Sequence, residues 1–176
     1  DTSSVPVDVQ ALTSGVAALH VGGFSVCALL SGGAIKCWGN NDVGLLGNGT
    51  LVDSSVPVQV EGLTGGMASV QIGDNHACAV TGAGSIKCWG SNIYGGLGSG
   101  SGTFSSTPGV VLGLDSGMSA ASAGKGSFSC AVTAAGGVKC WGSNIYGALG
   151  NGGSTHSLVP VDVQGLASGV TAVSTG

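Results

Sequence analysis

Cys27-Ala-Leu-Leu-Ser-Gly-Gly-Ala-Ile-Lys-Cys37-Trp38-Gly39 decides the fold, because it is written three times. The later copies run from Cys78 to Cys88-Trp89-Gly90 and from Cys130 to Cys140-Trp141-Gly142. Each has two cysteines ten residues apart, a small-residue turn midway and Lys-Cys-Trp-Gly at its end. The midpoints are Gly32, Ala83 and Ala135. In an antiparallel hairpin turning there, the two cysteines lie directly opposite one another, within reach of a disulfide. Zinc sites favour Cys-x2–4-Cys knuckles, which this spacing does not make. Reduced core cysteines are the remaining alternative. Cys27–Cys37, Cys78–Cys88 and Cys130–Cys140 are therefore expected as three staples, and disulfides persist in oxidising compartments.

Working outward, Val5-Pro6 recurs as Val56-Pro57, Thr107-Pro108 and Val159-Pro160, and the tryptophans step by 51 and 52 residues. A period of this size signals a repeat architecture. Val5–Gln10 alternates apolar and polar residues like a strand with one wet face, and its proline suits a sheet edge. Residues 16–21, 24–30 and 34–38 read as three more strands, the last two joined by the hairpin Ser31-Gly32-Gly33. A Gly-rich loop then leads to the next Val-Pro. Thirty-six glycines oppose a helical protein, since each weakens a helix by about 1 kcal/mol relative to Ala. Four short strands per repeat without a helical period read as a blade of an all-β propeller. His20, Gln71, Ser122 and Ser174 share one polar slot on the small-residue strand expected innermost.

The loops Gly39-Asn-Asn-Asp-Val-Gly-Leu-Leu-Gly, Gly90-Ser-Asn-Ile-Tyr-Gly-Gly-Leu-Gly and Gly142-Ser-Asn-Ile-Tyr-Gly-Ala-Leu-Gly, framed by Trp-Gly and Val-Pro, resemble the repeat of the regulator of chromosome condensation family. That resemblance implies a seven-bladed propeller in which the Val-Pro strand closes the outside of the preceding blade. Complete blades are then expected at about 16–61, 67–114 and 118–165. Residues 5–10 become the orphan outer strand of an earlier blade, and 170–176 the orphan inner strand of a later one. The chain reads as a slice of a longer array. The cysteine pairs depart from the family's intracellular members. So do Ser25 and Phe128, which stand where most members carry the histidine seen here as His76.

Four cationic and eight anionic side chains give a net charge of −4, and every cation is a lysine. Nucleic acid is not an expected partner, because affinity for phosphates comes from Lys and Arg. No apolar run is long enough to span a membrane. No catalytic, cofactor-binding or metal site is expected: the three histidines differ in repeat phase, and Ala123-Gly-Lys-Gly-Ser127 lacks the spacing of a phosphate loop. Asn48-Gly49-Thr50 is a glycosylation sequon. Asp53, Phe104 and His156, each four residues before a proline, change chemistry between matching flanks. They form a candidate binding rim on loops 49–55, 100–106 and 152–158. The expected function is a non-enzymatic, extracellular or cell-surface structural or adhesive scaffold, polymeric through further copies of itself or the rest of a longer array. The alternative is a secreted propeller that binds or inhibits a specific protein or takes a glycan.

Overall fold

The computed structural model describes residues 4–175. Among these, no residue is helical. The strands are β1 (Val16–Gly22), β2 (Ser25–Leu30), β3 (Ala34–Gly39), β4 (Ser54–Thr64), β5 (Met67–Ile72), β6 (His76–Thr81), β7 (Ile86–Gly90), β8 (Ser105–Val110), β9 (Met118–Ala123), β10 (Phe128–Thr133), β11 (Val138–Gly142) and β12 (Ser157–Asp162). They make three antiparallel four-stranded sheets, β1-β2-β3-β4, β5-β6-β7-β8 and β9-β10-β11-β12. Each sheet is a blade, and Val56-Pro57 and its counterparts lie on the fourth strand, at the blade's outer edge.

The hairpins pair as their symmetry dictates. Cys27 faces Cys37, Cys78 faces Cys88 and Cys130 faces Cys140 across the ladder. All three pairs are disulfides, with Cα atoms 4.0–4.1 Å apart. That separation belongs to the closer class of cross-strand pair, in which the two residues exchange no backbone hydrogen bonds. Side chains alternate across the pleat, so in each blade the cysteines look one way and the following tryptophan looks the other. The register against the fourth strand slips at Trp38, Trp89 and Trp141 in turn.

This alternation builds the seams between blades. Cys27, Ile35, Cys37, Leu46 and Val60 of the first blade pack against Val70, Ile72, Ala77, Ala79 and Trp89 of the second. The same pattern joins Cys78, Ile86, Cys88, Leu97 and Val111 to Ala121, Ala123, Ala131 and Trp141. Trp89 Nε1 donates to the Leu45 carbonyl and Trp141 Nε1 to the Gly96 carbonyl, each at 2.8 Å. The indoles lie close enough to the preceding loop that a Cβ on Gly47 would come within 2.8 Å of Trp89 Nε1. Gly98 stands in the same relation to Trp141, at 2.9 Å.

The two expected orphan strands do not form. Residues 6–9 carry no strand, and neither do 170–175; Gly176 lies outside the described residues. A strand is defined by a ladder to its neighbour. On the blade frame, the ladder of residues 6–9 would be to a strand of an earlier blade, and that of residues 170–175 to a strand of a later one. The latter segment nonetheless sits where an inner strand belongs. Val170 N donates to the Gly136 carbonyl, and Thr175 N donates to Ser122 Oγ at 3.1 Å.

Candidate functional site

The loops joining the third and fourth strands of successive blades are held by one buried asparagine each. Asn92 is 1% exposed; its Nδ2 donates to the carbonyls of Ser101 and Thr103, and its Oδ1 accepts from Leu97 N at 2.9 Å. Asn41 does the same with Thr50, Val52 and Leu46, and Asn144 with Gly153, Thr155 and Leu149. A side-chain amide satisfies three backbone groups that water would otherwise have to reach. Sequence reasoning did not assign these residues a role. The available signal was an Asn two positions after each Trp-Gly glycine, in phase in all three loops.

The expected rim residues turn out to divide by role. Asp53 Oδ1 accepts the Asn41 backbone N–H at 2.7 Å, and His156 Nδ1 accepts that of Asn144 at 2.9 Å. The changing chemistry at this position is thus partly one job done by two kinds of acceptor. Phe104 offers no acceptor, and the residue is 51% exposed. Asn48 is half-buried in the first loop, where its Oδ1 accepts Thr50 Oγ1 at 2.9 Å.

Neighbouring loops differ at the blade junctions. Between the second and third blades, the Tyr94 ring packs on His156 with centroids 4.9 Å apart. Val43 occupies the Tyr94 position in the first loop. There the junction holds a cavity of about 290 Å³, lined by Asp42, Val43, Leu51, Ser91, Ile93 and Phe104, among others. A second opening of about 300 Å³ involves Tyr94, Lys125, Phe128 and Tyr146. It borders Ser127, a non-glycine residue with φ +58°, at the one-residue insertion of the third blade.

The remaining singled-out residues are dispersed. His76 is 1% exposed and lies in the second seam, 2.8 Å from Ser129 Oγ. Ser129 Oγ is also 2.9 Å from the Gly96 carbonyl, which accepts the Trp141 indole N–H as well. Burial lowers the His76 pKa to about 4, which keeps the ring neutral. His20 lies on the inner strand and shares a hydrogen bond with Gln71; burial lowers its pKa and that bond opposes the shift. The cysteines are all in disulfides; four sit in the two seams, and Cys130 and Cys140 lie in a third cluster with Val170 and Val173. No cluster of three metal-ligating side chains occurs among the described residues. No helix there is long and apolar enough to cross a membrane.

Comparison with known proteins agrees with this architecture. The regulator of chromosome condensation (RCC1) repeat matches residues 33–80 and 135–176, and a second form of that repeat matches 67–95 and 119–148. The ultraviolet-B receptor UVR8 of Arabidopsis thaliana is 34% identical over 160 residues, covering 89% of this chain and 36% of its own. The E3 ubiquitin-protein ligase HERC2 of Homo sapiens is 36% identical over 164 residues, which is 90% of this chain and 3% of HERC2. The chain therefore spans little more than a third of these relatives at most. Among solved structures, human WBSCR16 superposes with a TM-score of 0.76 at 22% identity, over 89% of this chain and 39% of that one. Prp20p from Saccharomyces cerevisiae superposes with 0.73 at 18%, over 85% and 38%. Matching repeat units across most of its length, in phase with its own 51-residue period, the chain belongs to the RCC1 repeat family.

Proposed function

We propose that this chain is a non-enzymatic module of an extracellular repeat array, a scaffold that is extended by stacking further blades on its two end faces. One observation carries the reading. Leu19 and Val21 are 56% and 74% exposed, whereas the residues in the same places on the second blade, Val70 and Ile72, are 0% and 7% exposed. The first blade thus presents an uncovered half of the seam that its neighbours bury. At the opposite end, Leu166 is 41% exposed where Leu63 and Leu114 are 0% and 1%. Apolar surface left open beside a repeating interface favours addition of another unit. Two sources supply that unit, another copy of this chain or the remainder of a longer one. Three disulfides and a surface poor in charge support an oxidising location.

Light scattering on the purified chain tests the stacking. Concentration-dependent multimers are expected, and Leu19→Ser with Val21→Asp should abolish them. A chain that stays monomeric at every concentration, with the same mass as that double variant, removes self-stacking. The same measurement on a version lengthened to seven repeats then decides whether blades added in cis close the faces.

A second reading is favoured by the rim. Ile93, Phe104, Ile145 and Tyr146 are more than half exposed on loops that rigid asparagine anchors hold. Aromatic and apolar side chains on a fixed frame suit recognition of a protein or a glycan. Family members are typically regulators or protein-binding proteins, and the yeast protein has been solved bound to Kap60. On this reading Asp53, Phe104 and His156 frame the contact surface, and a glycan on Asn48 would border it.

A further inference from the structure

We infer that the cavity between the first and second loops receives the guanidinium end of an arginine side chain from a protein partner. The inference rests on the rim reading above and names the group that the rim takes. Its starting point is a break in the repeat's own pattern at three places. Where the other two loops have Tyr94 and Tyr146, this junction has Val43. Where they have Ile93 and Ile145, it has Asp42. On the facing loop, Phe104 replaces the side chains that cap Asn41 and Asn144.

These changes act together. At the next junction the ring of Tyr94 lies against His156 and occupies the space between loops. Val43 is too short to reach across in this way, and about 290 Å³ remains between it and the Phe104 wall. The vacated space is that taken by a tyrosine ring at the next junction. Asp42 lines the same cavity and is exposed, with Oδ2 accepting only a neutral amide, Asn40 Nδ2 at 2.9 Å. Among the described residues the single ion pair is Lys139 with Asp162, so the Asp42 carboxylate has no cation beside it. A cavity with an aromatic side chain and a carboxylate in its lining matches a guanidinium, which stacks on a ring while its fork of N–H donors meets a carboxylate. An ammonium is compact and strongly hydrated and does not stack. A neutral ring would fill the slot but leave Asp42 unmatched. These 176 residues contain no arginine, so none of them supplies the group.

Nuclear magnetic resonance titration of the intact chain tests this with ethylguanidinium, propylammonium and p-cresol as probes. Ethylguanidinium should give saturable shifts at Asp42, Val43, Ile93 and Phe104 and bind more tightly than the other two. Val43→Tyr, which installs the residue of the other loops, should abolish the shifts while the fold is retained. Asp42→Asn should weaken binding about fivefold, the scale of an exposed ion pair. An acetylated Gly-Arg-Gly amide should bind the same residues, and its citrulline counterpart should not. Absence of saturable shifts, persistence of binding in Val43→Tyr, or tighter binding of p-cresol overturns the assignment. If ethylguanidinium binds but the arginine peptide does not, the pocket stands and its reading as a protein-facing site fails.

Discussion

Trp89 in the second blade donates its indole N–H to the Leu45 carbonyl in the first, 2.8 Å away. The bond crosses a seam whose core is apolar, and its position is reproduced by Trp141 and Gly96. Trp38, the counterpart in the first blade, is half-buried with no blade in front of it. Trp89→Phe removes the donor, leaves a buried carbonyl unmatched and shrinks the side chain. The expected cost is about 2 kcal/mol. Trp38→Phe should cost less than half of that in the monomeric chain. Urea denaturation of the two variants side by side measures the difference.

The staples are expected to support each blade through its hairpin. Closing a loop of about ten residues stabilises by roughly 2–3 kcal/mol in the chain-entropy account. Replacing both Cys78 and Cys88 by Ala should lower the unfolding free energy by that amount, and a reductant should lower that of the parent chain further. A thiol assay on unfolded, untreated protein should find no free sulfhydryl. Six would remove the case for an oxidising location.

Acid should loosen the second seam. His76 is neutral in the fold with its pKa held near 4 by burial, while an unfolded histidine titrates near 6.5. Between those values the unfolded chain binds a proton that the folded chain refuses, so stability falls as pH drops. It should be unaffected above about pH 7, fall by about 2 kcal/mol at pH 5, and level off for this group below pH 4. His20, whose pKa is also lowered, adds in the same direction. His76→Gln should flatten the profile between pH 7 and 5, measured as thermal midpoint against pH.

Asn92→Ala should free its loop. Two carbonyls and one N–H lose their buried partner, for a cost of about 3 kcal/mol. Hydrogen exchange should accelerate at Leu97 and across residues 99–104 while the hairpin of β6 and β7 keeps its protection.

Phe104→Asp should move the opposite way. It gives the second loop the acceptor that Asp53 gives the first, at 2.7 Å from the matching backbone N–H. A gain of up to about 1 kcal/mol is expected, read from the denaturation midpoint. A loss would mean that the Phe104 ring matters more to the junction than the missing cap.

How much of this was legible in the sequence depends on whether the information was local. The hairpins were, because Cys27 and Cys37 are equidistant from Gly32 and an antiparallel pair must then face. The order of blades was legible through repetition of Trp-Gly and Val-Pro. No ladder is assigned at 6–9 or 170–175, because alternation marks a segment as able to pair and does not by itself form the pair. The loop caps were half legible. Repeat comparison singled out Asp53, Phe104 and His156, but that two of them cap a loop backbone depends on how a twelve-residue excursion closes on itself. The cavity beside Val43 was hidden for a related reason: it is a relation between two loops fifty residues apart.

The Lys139–Asp162 pair, joined at 2.6 Å, is the one ion pair among the described residues, and it lies at the surface. Dissolved ions therefore find little to screen in the folded molecule. Cohesion by apolar seams, sulfur bridges and amide anchors should hold about equally in brine and in fresh water.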